Sequence, residues 1–301
     1  MGDKVGVIRA GQVDFPEELS EVEPPVARLF YRGVWRREIL ARCVAVVGSR
    51  KMTKYGAQVL ATVIPQLVAR GYTTISGFMY GVDMEVHRLT YLCGGCTIAV
   101  LGWGIERKND IEQSNLLYKL IDNGGLIVSE YEGEMLPQKF MFPARNRIVA
   151  AFAQDVIVIE GAKKSGSMIT AGIATKLGRR LWAVPGPVNS IVSEGTNDLI
   201  RRGVARMLTF DEIDLVGANE RGGKTRRQKN YSKKIPINTR KVDLSAEEFT
   251  LITQIKTRRM GINDLVRATE IPAARVAALI MGLEMKGVVR EEEGVFELVQ
   301  N

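Results

Sequence analysis

Residues 44–50 read VAVVGSR, and the next twenty-one, KMTKYGAQVLATVIPQLVARG (51–71), form an amphipathic segment. Four apolar residues running straight into glycine and serine predict a buried strand, a tight turn and a helix. At such a turn Gly48 lets the backbone fold tightly and Ser49 offers a hydroxyl. The N–H groups of the following helix are free to meet an anion, and Arg50 adds a charge-assisted contact to phosphate. The dinucleotide pattern G-x-G-x-x-G and the Walker loop are both absent. By itself the turn therefore fits an ordinary strand-to-helix connection as well as a phosphate site.

Outward from this stretch the same rhythm repeats. Apolar runs VAVV (44–47), TTIS (73–76), TIAVL (97–101), LIVS (126–129), DVIVIE (155–160) and LWAVP (181–185) alternate with amphipathic segments at 55–70, 82–92, 111–123, 145–153, 166–177 and 194–203, and a last short run falls at 205–208. This alternation predicts an α/β fold, an extended Rossmann-like, doubly wound, mainly parallel sheet of about seven strands with helices on both faces. Ligands of such sheets bind at the carboxyl ends of the strands, so the loops after these runs are the ones to read.

The sequence divides into a lead-in (1–43), the Rossmann-like domain (44–216), a basic linker (217–241) and a small C-terminal winged-helix domain (242–301). The linker carries nine Lys/Arg and one acid with no apolar period. After it, Ser245-Ala246-Glu247-Glu248 reads as a capping box, INDLVRATE (262–270) as a second helix, and Pro272 as the first turn of a third, closed by Gly287. VVREEEGVFELV (288–299) reads as a hairpin. Arg275 and Lys286 are the main basic groups of the third helix, and Glu291-Glu292-Glu293 make the hairpin tip acidic, which argues against a major-groove reader.

The chain has 301 residues, 46% of them hydrophobic, and a net charge of +8 from 42 Lys/Arg and 34 Asp/Glu. The positive balance points to an anionic partner. No apolar run approaches the roughly 18 residues that span a bilayer, and the N-terminus has no signal-peptide core, so a cytoplasmic protein without a membrane partner is expected. Cys43, Cys93 and Cys96 read as reduced thiols. Cys93-Gly94-Gly95-Cys96 has a metal-like spacing, but with His87 the sole histidine a set of four zinc ligands is not assembled, and no metal or cofactor is expected.

Several loops carry candidate chemistry. Ser76–Asp83 places small residues after a strand, and Asp83 with His87, four residues on, reads as a helix-capping aspartate with a partner histidine. Lys139-Phe140-Met141-Phe142-Pro143-Ala144-Arg145-Asn146-Arg147 leads into a helix starting near Pro143. Two arginines in a first turn oppose the helix dipole, so they need anions, either protein carboxylates or phosphates. Phenylalanines beside Lys139 supply a cation for a backbone and a ring face for a base, as single-stranded nucleic acid requires. Ser165–Thr170, Pro185–Val188 and Gly195–Asn197 complete a ring of small, polar loops at one sheet edge.

Together the strings VAVVGSR, SGFMYGVDMEVHR, GGCTIAVLGWGIE, LIVSEY, KFMFPARNRIVA, SGSMITAGIA and VPGPVNSIVSEGTNDLIRRGV resemble, in order, those of the DNA processing protein A (DprA/Smf) family. The resemblance covers roughly 44–210. It implies a protein that binds single-stranded DNA without catalysis, forms a homodimer and helps load RecA recombinase in natural transformation or recombination. It also implies a DNA site at Gly48, Ser49, Arg50, Lys139, Phe142, Arg145, Asn146 and Arg147, with Gly166, Ser167 and Thr170 beside it. The chain departs from the family at Tyr80, where many members carry a basic residue. A nucleotide-processing hydrolase on a Rossmann-type sheet is the alternative, but Glu130, Glu132 and Glu160 have no evident catalytic partner in the sequence.

Overall fold

The computed structural model describes residues 4–216, 246–257, 260–269, 271–285, 288–292 and 294–298. The linker reading, Ser245, Lys286, Gly287 and Glu293 lie outside these residues. The chain forms two compact units, Met1–Gly222 and Gly223–Asn301.

In the first unit the elements follow in the order β1 (Gly6–Arg9), β2 (Arg28–Gly33), α1 (Arg37–Leu40), β3 (Cys43–Val47), α2 (Lys54–Ala69), β4 (Thr73–Ser76), α3 (Val82–Leu92), β5 (Thr97–Val100), α4 (Ile111–Asp122) and β6 (Leu126–Ser129). They continue with α5 (Met141–Phe152), β7 (Asp155–Val158), α6 (Gly166–Lys176), β8 (Arg180–Ala183), α7 (Glu194–Arg201) and β9 (Arg206–Met207). They build a nine-stranded sheet in the order β1-β2-β6-β5-β4-β3-β7-β8-β9. From β6 to β9 every pairing is parallel, as the βα alternation predicts.

Two strands go beyond that prediction. β2 pairs antiparallel with β6, Phe30 opposite Ser129, and β1 pairs antiparallel with β2. Their arginines, Arg9, Arg28 and Arg32, break up the apolar signature, yet Leu29 and Phe30 are buried on opposite faces. The two strands close the β6 edge, which would otherwise offer unpaired backbone groups.

Strand side chains alternate between two layers. Val44 and Val46 of β3 and Ile157 of β7 join Val59, Leu60 and Val63 of α2 on one face. Ala45 and Val47 of β3 and Val156 and Val158 of β7 join Ile148 and Val149 of α5 and Ala171 and Ala174 of α6 on the other. Thus α2, which follows β3, and α6, which follows β7, cover opposite faces although their strands are neighbours.

On the α2 and α3 face lies a buried polar cluster. Thr97 Oγ1 donates to the Thr74 carbonyl at 3.1 Å and stands 2.8 Å from His87 Nδ1. The reading of His87 as partner to Asp83 is therefore corrected: the imidazole turns to Thr97 and packs 5.6 Å from the Phe78 ring. Asp83 is not the α3 cap either. Gly81 occupies that position, and Asp83 sits in the first turn.

The second unit contains α8 (Ala246–Thr257), α9 (Ile262–Thr269), α10 (Ala273–Met285) and a hairpin of β10 (Val289–Glu292) and β11 (Val295–Leu298). Met260 makes an isolated antiparallel bridge to Phe296, and Leu251, Leu265, Ile280, Leu283 and Phe296 form the core of the unit. This is the winged helix that the sequence predicts. Among the described residues no helix is long and apolar enough to cross a membrane.

Burial drives the His87 pKa from 6.5 down to about 3. Between those values the unfolded chain binds a proton that the folded chain does not, so this group's stabilisation is complete above pH 6.5 and is lost as the pH falls toward 3. The slope expected from it is about 1.4 kcal/mol per pH unit. Urea unfolding of the wild type and of His87→Gln across this window should differ by that slope, and the single imidazole should remain neutral by NMR at pH 5.

Candidate nucleic-acid interface

Because their helices diverge, the carboxyl ends of β3 and β7 open a crevice between the turn at Gly48 and the start of α6, the usual ligand position in a doubly wound sheet. The Gly48–Arg50 turn is held from outside. Val82 N donates to the Ser49 carbonyl at 3.1 Å, and Ser49 Oγ accepts from Lys51 N at 3.0 Å. Gly81, at φ 83°, lies so close that a Cβ there would stand 2.4 Å from the Ser49 carbonyl oxygen. Only glycine combines that dihedral with that approach.

The crevice is a cleft of about 690 Å³ lined by Gly48, Ser49, Arg50, Lys139, Phe142, Arg145, Asn146, Gly166, Ser167 and Thr170 among others. The structure thus brings nearly all of the predicted positions together. The Arg50 guanidinium lies 5.1 Å from the centroid of the Phe142 ring, within cation–π range. Phe142 meets Trp103 edge-on at 6.4 Å. Asn146 Nδ2 donates to the Gly166 carbonyl at 3.2 Å and ties α5 to the first turn of α6. Ser167 and Thr170 are buried in the cleft wall; Thr170 donates back to Gly166, and the two hydroxyls of Ser165 and Ser167 are 2.8 Å apart.

The two arginines of α5 are placed differently from expectation. The helix starts at Met141, so Pro143 falls in the first turn, where its missing N–H costs nothing, and Arg145 and Arg147 lie beyond that turn. Arg147 pairs with a protein carboxylate, whereas Arg145 bonds a backbone carbonyl and only faces one. Arg145, 3% exposed, donates to the Val100 carbonyl and faces Asp83 across Gly77, where a Cβ would clash with both side chains. Burial pushes the Asp83 carboxyl above its ordinary value against the pull of Arg145, and burial also lowers the Arg145 guanidinium. Arg147 is absent from the cleft lining. Its Nη1 and Nη2 grip both Glu130 oxygens at 2.5 and 2.7 Å, and its Nε donates to the Pro24 carbonyl at 2.8 Å. Arg147 therefore braces α5 against the β6 loop and the lead-in.

The other acids weighed from the sequence also have places. Glu160, 2% exposed, accepts from the backbone N–H of Thr53 at 3.0 Å and from its hydroxyl, fastening the start of α2. Glu132 lies 3.9 Å from Arg28. Lys51 and Ile169 line the cleft although the sequence motifs do not single them out. The signal for Lys51 is its adjacency to Arg50. Lys163 and Lys164, exposed between cleft-lining Ala162 and Ser165, extend the basic rim. Asp83 is the single carboxylate among the lining residues, so the exposed ionisable groups facing the cleft are all cationic.

Elsewhere, Tyr80 donates to Asp110 at 2.6 Å, while Asp110 caps α4 through Gln113 N at 2.8 Å. Cys96 Sγ donates to the Gly124 carbonyl and Cys43 Sγ to that of Ile39. In the second unit Arg275 is paired with Glu247 at 2.6 Å.

A mainly parallel sheet with a cationic cleft at its switch point defines a doubly wound α/β protein. The comparisons give the family. Residues 6–216 match the model described as DNA recombination-mediator protein A, and 238–294 match the DprA winged helix domain. The chain belongs to the DNA recombination-mediator protein A (DprA/Smf) family. It is 38% identical to DNA processing protein DprA of Streptococcus pneumoniae over 203 residues, 67% of this chain and 70% of that one. It is 36% identical to Protein Smf of Escherichia coli over 170 residues, 56% of this chain but 46% of the relative, less than half its length. The X-ray structure of the S. pneumoniae protein aligns with a TM-score of 0.65 at 35% identity, covering 71% of this chain and 74% of that one. DNA processing protein A of Helicobacter pylori, described as binding single-stranded DNA, aligns with a TM-score of 0.62 at 28% identity over 70% of this chain and 95% of that one.

Removing one partner of the buried Arg147–Glu130 pair strands the other charge, so Arg147→Ala should lower the unfolding free energy by about 3–5 kcal/mol. Arg147→Met with Glu130→Leu should recover most of that stability. Urea denaturation of the three proteins checks both outcomes.

Proposed function

We propose that this chain holds single-stranded DNA in the switch-point cleft without performing catalysis, and that as a homodimer it assists loading of RecA during natural transformation or recombination. The observation that carries the reading is Arg50 stacked on Phe142 at a cleft whose exposed charged lining is entirely cationic. Phosphates sit on Arg50, Lys51, Lys139 and the first-turn N–H groups of α6, and a base stacks on Phe142. Family membership and the single-stranded DNA binding of the H. pylori relative support the same ligand. The RecA and homodimer parts rest on what the family resemblance implies.

The hydrolase alternative needs a carboxylate at liberty to act as a base. Glu130 and Glu160 are engaged away from the cleft lining, and Asp83 is buried facing Arg145. These placements favour holding over cutting. The absence of turnover on a nucleotide panel would agree with them, and turnover abolished in Asp83→Asn would reverse the reading.

In an anisotropy titration at several salt concentrations, the double variant Arg50→Ala, Lys139→Ala should bind oligodeoxythymidylate more weakly. Its slope of log affinity against log salt should be shallower by about 1.4, roughly 0.7 for each phosphate that is no longer neutralised. Phe142→Ala should weaken binding by about 1–3 kcal/mol. Equal affinity for duplex and single strand, or unchanged binding in the double variant, would refute the placement. Solution mass measures the dimer, and the rate of RecA filament assembly on coated DNA measures the loading.

A further inference from the structure

Beside the cleft, on the flank of α4, lies a second cavity of about 290 Å³, walled by Arg32, Arg107, Lys108, Asn109 and Tyr118, with Glu106 its one carboxylate. The Tyr118 ring is 51% exposed, and the Arg32 guanidinium sits 5.4 Å from its centroid. Such a cavity, with three cations against one acid and a half-exposed ring that Arg32 covers on one face, has the chemistry of a nucleotide subsite: charge for a phosphate and a platform for a base.

Beneath the surface between the two cavities runs a cation–aromatic chain through buried Trp103. Arg50 covers Phe142 at 5.1 Å, Phe142 abuts Trp103 at 6.4 Å, and Arg107 covers Trp103 at 5.5 Å. Arg107 is thus both the end of the chain that starts in the cleft and a wall of the second cavity. Its Nη1 donates to Asn109 Oδ1 at 3.0 Å, but its buried Nε has no hydrogen-bond partner among the described residues, and neither does Trp103 Nε1. Unpaired buried donors are costly where no acceptor arrives. The neighbouring acid Asp110 is already engaged by Tyr80 and the α4 N-terminus.

We propose that this cavity is a second nucleotide subsite for the same DNA strand, which leaves the cleft over Phe142 and sets a later phosphate on Arg107 and Lys108 and a base on Tyr118. The inference rests on the reading of the cleft as a single-stranded DNA site and extends its footprint along α4. The ligand at this second place is a continuing polynucleotide, so strand length should reveal it.

The test compares oligodeoxythymidylates of increasing length on the full chain by anisotropy, for the wild type, Lys108→Ala with Tyr118→Ala, and Arg107→Ala with Lys108→Ala. The first double variant leaves the Arg107–Trp103 stack in place, and thermal melting of each protein checks folding. With oligonucleotides long enough to pass beyond the cleft, either double variant should bind about tenfold more weakly than the wild type. The Arg107, Lys108 pair should also flatten the salt slope by about 1.4. With the shortest oligonucleotides that bind, both should match the wild type. If the folded Lys108, Tyr118 variant binds long strands like the wild type, or is weakened equally toward short and long strands, the subsite is refuted while the cleft reading stands. If the wild type binds no oligonucleotide of any length, the cleft reading fails and the subsite falls with it.

Discussion

Two parallel neighbours, β3 and β7, share their backbone hydrogen bonds from Val44 to Val47 and from Asp155 to Val158, yet the helices that follow them leave for opposite faces of the sheet. Neither helix can roof the gap above the two strand ends. A parallel sheet is otherwise covered on both faces, so this is where backbone and side chains at the strand ends remain open. The Gly48 turn reaches the opening from one side and the first turn of α6 from the other. α5, which must cross from β6 to β7 beside α6, delivers Phe142, Arg145 and Asn146 into the same place.

Packing α5 there requires charged side chains to enter the protein, and the structure resolves this with an ion pair for Arg147 and a backbone carbonyl for Arg145. Arg147 is satisfied by both Glu130 oxygens and the Pro24 carbonyl, so it ties the β6 loop, the lead-in and α5 into one body. Arg145 is drawn in above Gly77 opposite Asp83, with the Val100 carbonyl as acceptor. A buried ion pair contributes little net stability but is expensive to break. The consequence is positional: α5 is pinned in register, and the side chains between and before its arginines are presented to the cleft. The basic groups left facing solvent, Arg50, Lys51 and Lys139, are the ones that have no carboxylate built against them in the cleft lining.

The resulting surface suits a polymer better than a small closed ligand. Its cations are spread from the Gly48 turn to the loop before α5, and the aromatic contacts continue through Trp103 toward α4 rather than enclosing a pocket. On the proposed reading, stacking on Phe142 and charge on Arg50 would be tolerant of base identity, since every base has a π face. In the second unit two of the described basic groups are paired: Arg275 with Glu247 and Arg290 with Glu297.

Local sequence alone determined the parallel core and most of the cleft. Strands such as VAVV and DVIVIE are buried on both faces and so read as unbroken apolar runs, and glycine, serine and arginine directly after them mark turns at the ligand-binding edge. The winged helix was legible for the same reason, through its helical periodicity and hairpin. Tertiary structure decided what depends on contacts between distant residues. The two arginines of PARNR look equivalent in sequence, yet Asp83 lies far upstream of Arg145 while Glu130 lies close before Arg147, and only the fold turns one toward the cleft and the other away. Glu160 acquires its role from Thr53, more than a hundred residues earlier, and His87 turns from its helical neighbour Asp83 to Thr97 on the next strand. The antiparallel strands β1 and β2 were hidden because their arginines interrupt the apolar signal. Short-range pattern specifies which segments are buried; which charges meet inside is settled by how the buried segments cross.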